Sequence, residues 1–300
     1  MVIDKPAGFT SHDVVSKVKR ILGVKKAGHT GTLDPMATGV LPVCINEATK
    51  LAQFLSAENK TYLATMLLGV RTDTQDIEGK VTHESDQVVV EEEIRRTMRK
   101  MVGKISQTPP AFSALKHKGK PLYKYARHGE FPEVAPREVE IFSLDIREIS
   151  FPRVIFEISC SKGTYIRTIC ADVGNMLGCG ACLSGLRRRQ SGFFTEALAL
   201  TLEGHDADGM KKKLLDGMLP MGKCLPAFTA VEVSESQADK LRAGFQPDAV
   251  WTDSDVLPFL AAGDMIKFIS PEGHLVAVGQ SNGPVSGART IRVFSKMNEQ

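Results

Sequence analysis

The stretch Gly28-His29-Thr30-Gly31-Thr32-Leu33-Asp34-Pro35-Met36-Ala37-Thr38-Gly39 gathers glycines, hydroxyls, one imidazole and one carboxylate. Glycines allow close backbone approach and positive φ, and the hydroxyls and imidazole supply polar edges. Pro35 biases Asp34 toward an extended backbone. The following Val40-Leu41-Pro42-Val43-Cys44-Ile45 reads as a short buried strand. An acidic group is thereby held on a turn anchored by a core element, the arrangement in which loops on rigid scaffolds carry catalysis. The same residues also fit a surface turn in which Asp accepts local hydrogen bonds.

A second candidate is the run Lys116, His117, Lys118, Lys120, Lys124, Arg127 and His128, which contains no acidic residue and is interleaved with Tyr123 and Tyr125. It fits a solvated face, and it also fits phosphate contact combined with base stacking. The triplet Arg187-Arg188-Arg189 is a solvated strand end or a phosphate-facing one. Cys179-Gly-Ala-Cys182 has no partner pair and the histidines are scattered, so these thiols read as small core hydrophobes, with no metal site.

Several elements must position these residues. Thr10 or Ser11 caps a helix with Asp13 in its first turn, an apolar stripe of Val14, Val15, Val18, Ile21 and Leu22, and a stop at Gly23. Glu47–Leu55 reads as a helix, and Lys60–Leu68 as a strand that alternates poorly. Thr72–Asp76 reads as a polar loop. Glu91–Val102 reads as a helix burying Ile94, Met98, Met101 and Val102. Gln107–Leu115 is extended around its paired prolines. Arg137–Ile149 and Arg153–Cys160 are consecutive strands. Thr164 is placed to cap a helix from Ile166 to Leu177, with Tyr165 and Arg167 in its first turn. An arginine there opposes the helix dipole, a local conflict of the kind that marks function. The chain is less regular from Thr201 to Phe228, with Pro220 and Pro226 marking a linker. A helix at Ser234–Ala243 and strands at Asp264–Ile269, Leu275–Gln280 and Thr290–Phe294 form a small, separate, mostly β unit.

With 300 residues, 42% hydrophobic and 24% charged, the chain has an ordinary globular composition and enough length for two domains. A net charge of +3 argues weakly for an anionic partner. Six cysteines without a framework fit a reducing, cytoplasmic setting. No signal peptide is visible, and no apolar run approaches the roughly 20 residues needed to span a bilayer.

Five stretches are specific in combination: Lys5-Pro-Ala-Gly-Phe-Thr-Ser-His-Asp-Val-Val15, Gly28 to Leu41, Thr72-Asp-Thr-Gln-Asp76, Gln107-Thr-Pro-Pro-Ala-Phe-Ser-Ala-Leu115 and Cys160-Ser-Lys-Gly-Thr-Tyr-Ile-Arg167. In this order they resemble the bacterial TruB family of tRNA pseudouridine synthases, from the first residues to about Arg189. A weaker likeness to the family's PUA-type RNA-binding tail covers the last 70 or so residues.

The resemblance implies an α+β fold: a mixed, largely antiparallel sheet flanked by helices, with a small mostly-β PUA-like C-terminal domain. It implies a catalytic domain at 1–225, with a mobile basic insertion at about 107–136, and an RNA-binding domain at 226–300. The implied activity is isomerisation of uridine 55 in the T loop of transfer RNA, without cofactor or metal. The implied partner is the T stem-loop; neither a membrane nor a protein partner is implied. Asp34 matches the nucleophile, Arg167 the arginine that pairs with it, and Tyr62 the aromatic that stacks on the flipped base and is a candidate for removing the C5 proton. His29 matches the residue that fills the space left by that base, and Tyr165 and Leu186 match further contacts to the target nucleotide. Lys116, Lys118, Lys120, Lys124, Arg127, Arg187 and Arg188 are expected on the RNA backbone, and Lys5 in a supporting role. Met36 stands where the family often has Leu, a volume-conserving change. The start close to Lys5 is expected to reflect a truncation or a mis-assigned initiator. Two other readings are a non-catalytic RNA-binding or RNA-folding protein and a guide-dependent, dyskerin-like synthase. The presence of Asp34, Tyr62 and Arg167 argues against the first, and the glycine-rich loop and basic insertion against the second.

Overall fold

A computed structural model describes residues 1–204, 206–247, 259–284 and 286–296. Its centre is a ten-stranded mixed sheet. The principal strands are β1 (Val2–Lys5), β2 (Thr38–Ile45), β3 (Lys60–Leu68), β4 (Gly103–Gln107), β5 (Arg137–Ser150), β6 (Arg153–Cys160), β7 (Ala181–Ser191) and β8 (Ala199–Leu200). They lie in the order β8-β1-β2-β7-β3-β6-β5-β4, with Ala27–His29 paired to β2 and Phe194–Thr195 to β7. Parallel pairings join β1 with β8 and β2 with β7, and the other pairings are antiparallel.

Burial on β3 alternates strictly, with Lys60, Tyr62, Ala64, Met66 and Leu68 inward. The sequence conceals this because one inward position is a lysine, another an alanine, and the outward set includes Leu63 and Leu67. Tyr62, Ala64, Met66 and Leu68 join Phe156 and Ile158 of β6 in the main core. The helices α2 (Glu91–Arg99) and α4 (Ile166–Leu177) pack there through Ile94, Met98, Ile169, Cys170 and Val173. Val102 lies beyond the end of α2 and is exposed, which corrects its expected place on the buried face.

The first helix, α1 (Ser11–Leu22), forms as its local signals require. Thr10 and Asp13 close a reciprocal capping box, and Gly23 ends the helix at φ 66°. Its valines meet Ile3, Leu41 and Val43 in a second core. The expected helix at Glu47–Leu55 is instead a 3-10 stretch, Asn46–Leu51, followed by one α-turn, Ala52–Leu55.

The basic run forms a two-residue ladder, Lys116–His117 with Lys120–Pro121, followed by the helix α3 (Leu122–Ala126). Within the irregular stretch after Thr201 lies α5 (Ala207–Asp216), capped by Asp206 and packed on α1 through Met210 and Leu214. The last helix, α6 (Glu235–Arg242), begins at a Ser234–Gln237 capping box.

A four-stranded sheet of β9 (Thr229–Glu232), β10 (Met265–Ile269), β11 (Leu275–Ser281) and β12 (Ala288–Val293) completes the fold. Leu275, Val278 and Phe294 share an apolar cluster with Val2, Val40, Leu51 and Phe194, so this β unit packs against the large sheet rather than standing apart. Residues 248–258 and 297–300 of the expected tail lie outside the described residues.

Candidate active site

Asp34 sits on a loop held by donors from three directions. Ser11, the first residue of α1, donates its hydroxyl to Leu33 O at 3.1 Å and accepts from Leu33 N at 2.8 Å. Pro35 O accepts from Lys5 Nζ at 3.1 Å and from Gly8 N at 2.9 Å. Arg188 donates to Gly31 O at 3.0 Å and to Val40 O at 2.7 Å. Lys5 is fully buried, and its ammonium also serves the carbonyls of Pro6 and Phe9. Burial pushes it down to about 8.

Arg167 comes from the first turn of α4 and is 4% exposed. Its Nε lies 2.9 Å from Asp34 Oδ2, without the alignment of a hydrogen bond, and its Nη2 lies 3.4 Å from Asp34 Oδ1. On its other side Nη1 lies 3.3 Å from Asp76 Oδ2. Nη1 donates to Thr74 O at 2.8 Å and Nη2 to Phe112 O at 2.9 Å. The guanidinium is thus fixed by two carboxylates and two carbonyls, and it orients Asp34. Desolvation raises the proton affinity of Asp34, and the Arg167 charge works against that rise. With its side chain 34% exposed, Asp34 keeps a face open to a ligand and to solvent screening.

Thr164 does not cap α4, because its hydroxyl donates to Ser161 O. Tyr165 occupies the cap position without a side-chain capping bond. Its backbone is gripped by the buried amide of Gln107, which accepts from Tyr165 N at 2.8 Å and donates to Tyr165 O at 3.1 Å. The Arg137 guanidinium lies 5.2 Å from the Tyr165 ring.

Tyr62 is 8% exposed and packs in the cluster that holds Leu33, with Met36 and Leu186 against it. Burial holds its phenol above the usual range, and the Arg188 charge offsets only part of that rise. His29 ends the short strand Ala27–His29, and its Nδ1 is buried with no hydrogen-bond partner among the described residues. Burial and the nearby Arg188 charge hold it below the usual imidazole range, so it is neutral at pH 7.

Lys116, Lys118, Lys124 and Arg127 are exposed and form no ion pair among the described residues. The aromatics between them are already engaged: Lys120 Nζ lies 4.3 Å from the Tyr125 ring, and Arg127 lies 5.4 Å from the Tyr123 ring. Arg187 and Arg188 depart from expectation. Arg187 is paired with Asp4 at 3.0 Å and with Glu196, and Arg188 is 1% exposed beneath the Asp34 loop. Neither presents a free guanidinium to an RNA backbone.

Asp76, Gln107 and the bracing roles of Ser11 and Arg188 were not legible as site features. The polar loop at 72–76 was visible, but not its docking onto β7, where Leu183 N donates to Gln75 O and Ile77 N to Leu183 O. All six cysteines are buried and free. Among the described residues no cluster of His, Cys, Asp and Glu could hold a metal, and no helix is long and apolar enough to cross a membrane.

Residues 19–166 match the family profile described as the TruB family pseudouridylate synthase N-terminal domain. Residues 167–225 match that of the tRNA pseudouridylate synthase B C-terminal domain. The tRNA pseudouridine synthase B of Syntrophus aciditrophicus is 52% identical over 281 residues, 93% of this chain and 90% of the relative. That of Geobacter sulfurreducens is 42% identical over 98% of this chain and 99% of the relative. Among solved structures, a chain of a Cbf5-Nop10-Gar1 complex superposes with a TM-score of 0.74 at 29% identity, covering 98% of this chain and 84% of that one. A chain of an H/ACA RNP bound to a substrate RNA containing 2'-deoxyuridine gives 0.73 at 27% identity, over 99% and 84%. The chain belongs to the TruB family of pseudouridylate synthases, and it is an enzyme of the pseudouridine synthase fold.

Proposed function

We propose that this protein converts uridine 55 in the T loop of transfer RNA to pseudouridine, with Asp34 as the nucleophile. The observation that carries this reading is the Asp34 carboxylate, partly open to a ligand and pinned by a buried arginine. Arg167 favours the ionised carboxylate against the effect of burial and aims it. The target base is extruded from the T loop, because its reacting atoms are inaccessible when it is stacked. Asp34 attacks the ribose or the base of that nucleotide, and both routes end in the same isomer. The base detaches from N1, rotates and rejoins the sugar through C5. C5 gives up its proton, and N1 takes one from solvent, so the reaction is a net isomerisation.

In this reading Tyr62 stacks on the base and receives the C5 proton, Tyr165 and Leu186 line the nucleotide, and neutral His29 fills the space that the base leaves. Exposed Lys116, Lys118, Lys124 and Arg127, with half-buried Lys120, approach the phosphates, and the C-terminal β unit (226–300) extends the RNA surface as a PUA-like domain. Higher identity to the bacterial synthases than to the Cbf5 chain favours a stand-alone enzyme over a guide-dependent one.

The test is incubation with an unmodified tRNA transcript, followed by mapping of carbodiimide-dependent reverse-transcription stops. A single stop at position 55 is expected. Its absence, or a stop elsewhere, overturns the site assignment.

A further inference from the structure

Among the described residues, Arg188 is the largest fully buried side chain. On either side of it in β7, Arg187 and Arg189 are satisfied by Asp4, Glu157 and Glu196, whereas among the described residues no carboxylate lies within ion-pair distance of Arg188. Arginine cannot shed its proton to escape burial, so the site holds a permanent and unneutralised charge. Such a charge is strongly unfavourable in a folded interior.

Its geometry shows what it touches. Nε and Nη2 bond the carbonyls of Val40 and Gly31, on the two limbs of the Asp34 loop. A Cβ at Gly39 would stand 2.2 Å from Arg188 O, so the loop closes directly onto this residue's backbone. In the sheet register Arg188 lies opposite Tyr62. Directly opposed residues share a face, so guanidinium and phenol lie on one side of the sheet.

The charged and titratable groups whose electrostatic influence is felt at this pair are Lys5, His29 and Lys60 with Arg188, and Asp34 and Cys160 with Tyr62. Asp34 shares the Arg167 cation with Asp76 and lies beyond ion-pair distance of Arg188. The unmatched cation therefore lies where negative charge on the Tyr62 oxygen would meet it.

We propose that Arg188 is a positioning residue for proton removal at C5: it ties the Asp34 loop to the strand opposite Tyr62 and stabilises the Tyr62 oxygen as a phenolate. This rests on the synthase reading above. In the step concerned, the resting Tyr62 phenol first releases its proton to solvent. The C5 proton then passes to the phenolate oxygen, the C–H electron pair returns to the uracil ring, and the phenol is restored.

The test compares single-turnover pseudouridine formation by the wild type, Arg188→Lys and Arg188→Gln between pH 6 and 9.5, with transcript affinity and melting temperature measured on each. At pH 7 the Lys variant, which keeps a cation, is expected to run at least about tenfold faster than the Gln variant, with affinities within about twofold. Buried Lys5 and Lys60 are pushed down to about 8. The substituted lysine is therefore expected to discharge in the same range, and the ratio of Arg188→Lys to wild type to fall about tenfold or more above pH 8. A ratio that stays flat across the range means that Arg188 only braces the loop, and overturns the proposal. So do equal rates for the two variants at pH 7. If Arg188→Gln fails to fold, the pH profile of Arg188→Lys decides alone. An inactive wild type would instead overturn the synthase reading.

Discussion

Asp76 meets the Arg167 guanidinium at 3.3 Å from the side opposite Asp34, whose own contact is 2.9 Å. Two carboxylates thus share one cation. Asp76 is itself held by Thr74 Oγ1 at 2.7 Å and by Glu78 N at 3.1 Å. Replacing Asp76 by Asn removes the charge that holds Arg167 from behind and lets the guanidinium drift. A misplacement of this kind costs on the order of 100-fold in rate. Asp76→Asn is expected to lower single-turnover rate by roughly that factor while transcript affinity stays near wild type. Equal losses in rate and affinity would show that Asp76 acts on RNA binding instead.

Asp34→Asn keeps the size of the side chain and removes its charge. Turnover should disappear, and RNA binding should persist because the phosphate contacts lie elsewhere. Gel-shift affinity alongside pseudouridine mapping checks both halves. Full activity in this variant would end the nucleophile assignment.

Ser11→Ala leaves the buried Leu33 N and O without the hydroxyl that serves both. An unsatisfied buried backbone group costs about 1–3 kcal/mol. A lower denaturation midpoint is expected, together with a slower reaction at unchanged affinity, because Leu33 directly precedes Asp34. Unaltered stability would mean that water replaces the hydroxyl at no cost.

Lys118, Lys120 and Lys124 replaced together should weaken RNA binding and flatten its dependence on salt. For three contacts to single-stranded phosphates the slope should fall by about 2. Affinities measured across a salt series read this directly. A slope that does not move would make the stretch a solvated face.

His29 carries a pH dependence whose sign is set by its lowered proton affinity. Below about pH 6.5 the unfolded chain takes up a proton that the native imidazole resists. The stability this residue contributes is therefore present above that value and lost as the pH falls through its native one. Melting temperatures at pH 7.5 and 5 should drop further in the wild type than in His29→Leu. Parallel drops would place the acid sensitivity on other groups.

How much of this was legible depended on whether the determining contact was local. The boundaries of α1 could be read at Thr10, Asp13 and Gly23 because its caps lie within a few residues of the helix they end. The start of α4 could not, because the side chain that holds Tyr165 is Gln107, from the edge strand β4. Helix α5 is masked in the sequence because its buried apolar residues, Met210 and Leu214, are set among glycine and lysines. The Asp34 loop stood out through glycine and motif spacing, and the pairing of Arg167 with Asp34 followed from family likeness. The second carboxylate on Arg167 and the inward turn of Arg188 depend on loop docking and strand register. Neither leaves a periodic trace in the chain.

The position of β7 has a consequence for biosynthesis. It lies between β2 and β3, although it follows both by more than a hundred residues. Until β7 has been made, the facing edges of β2 and β3 lack the strand that pairs with both. Unpaired edges invite association with other chains, and long-range pairing of this kind is slow. That strand brings Arg188, and the helix just before it brings Arg167. Asp34, the proposed nucleophile, is thus translated early, and the two arginines that position its loop and its carboxylate arrive late.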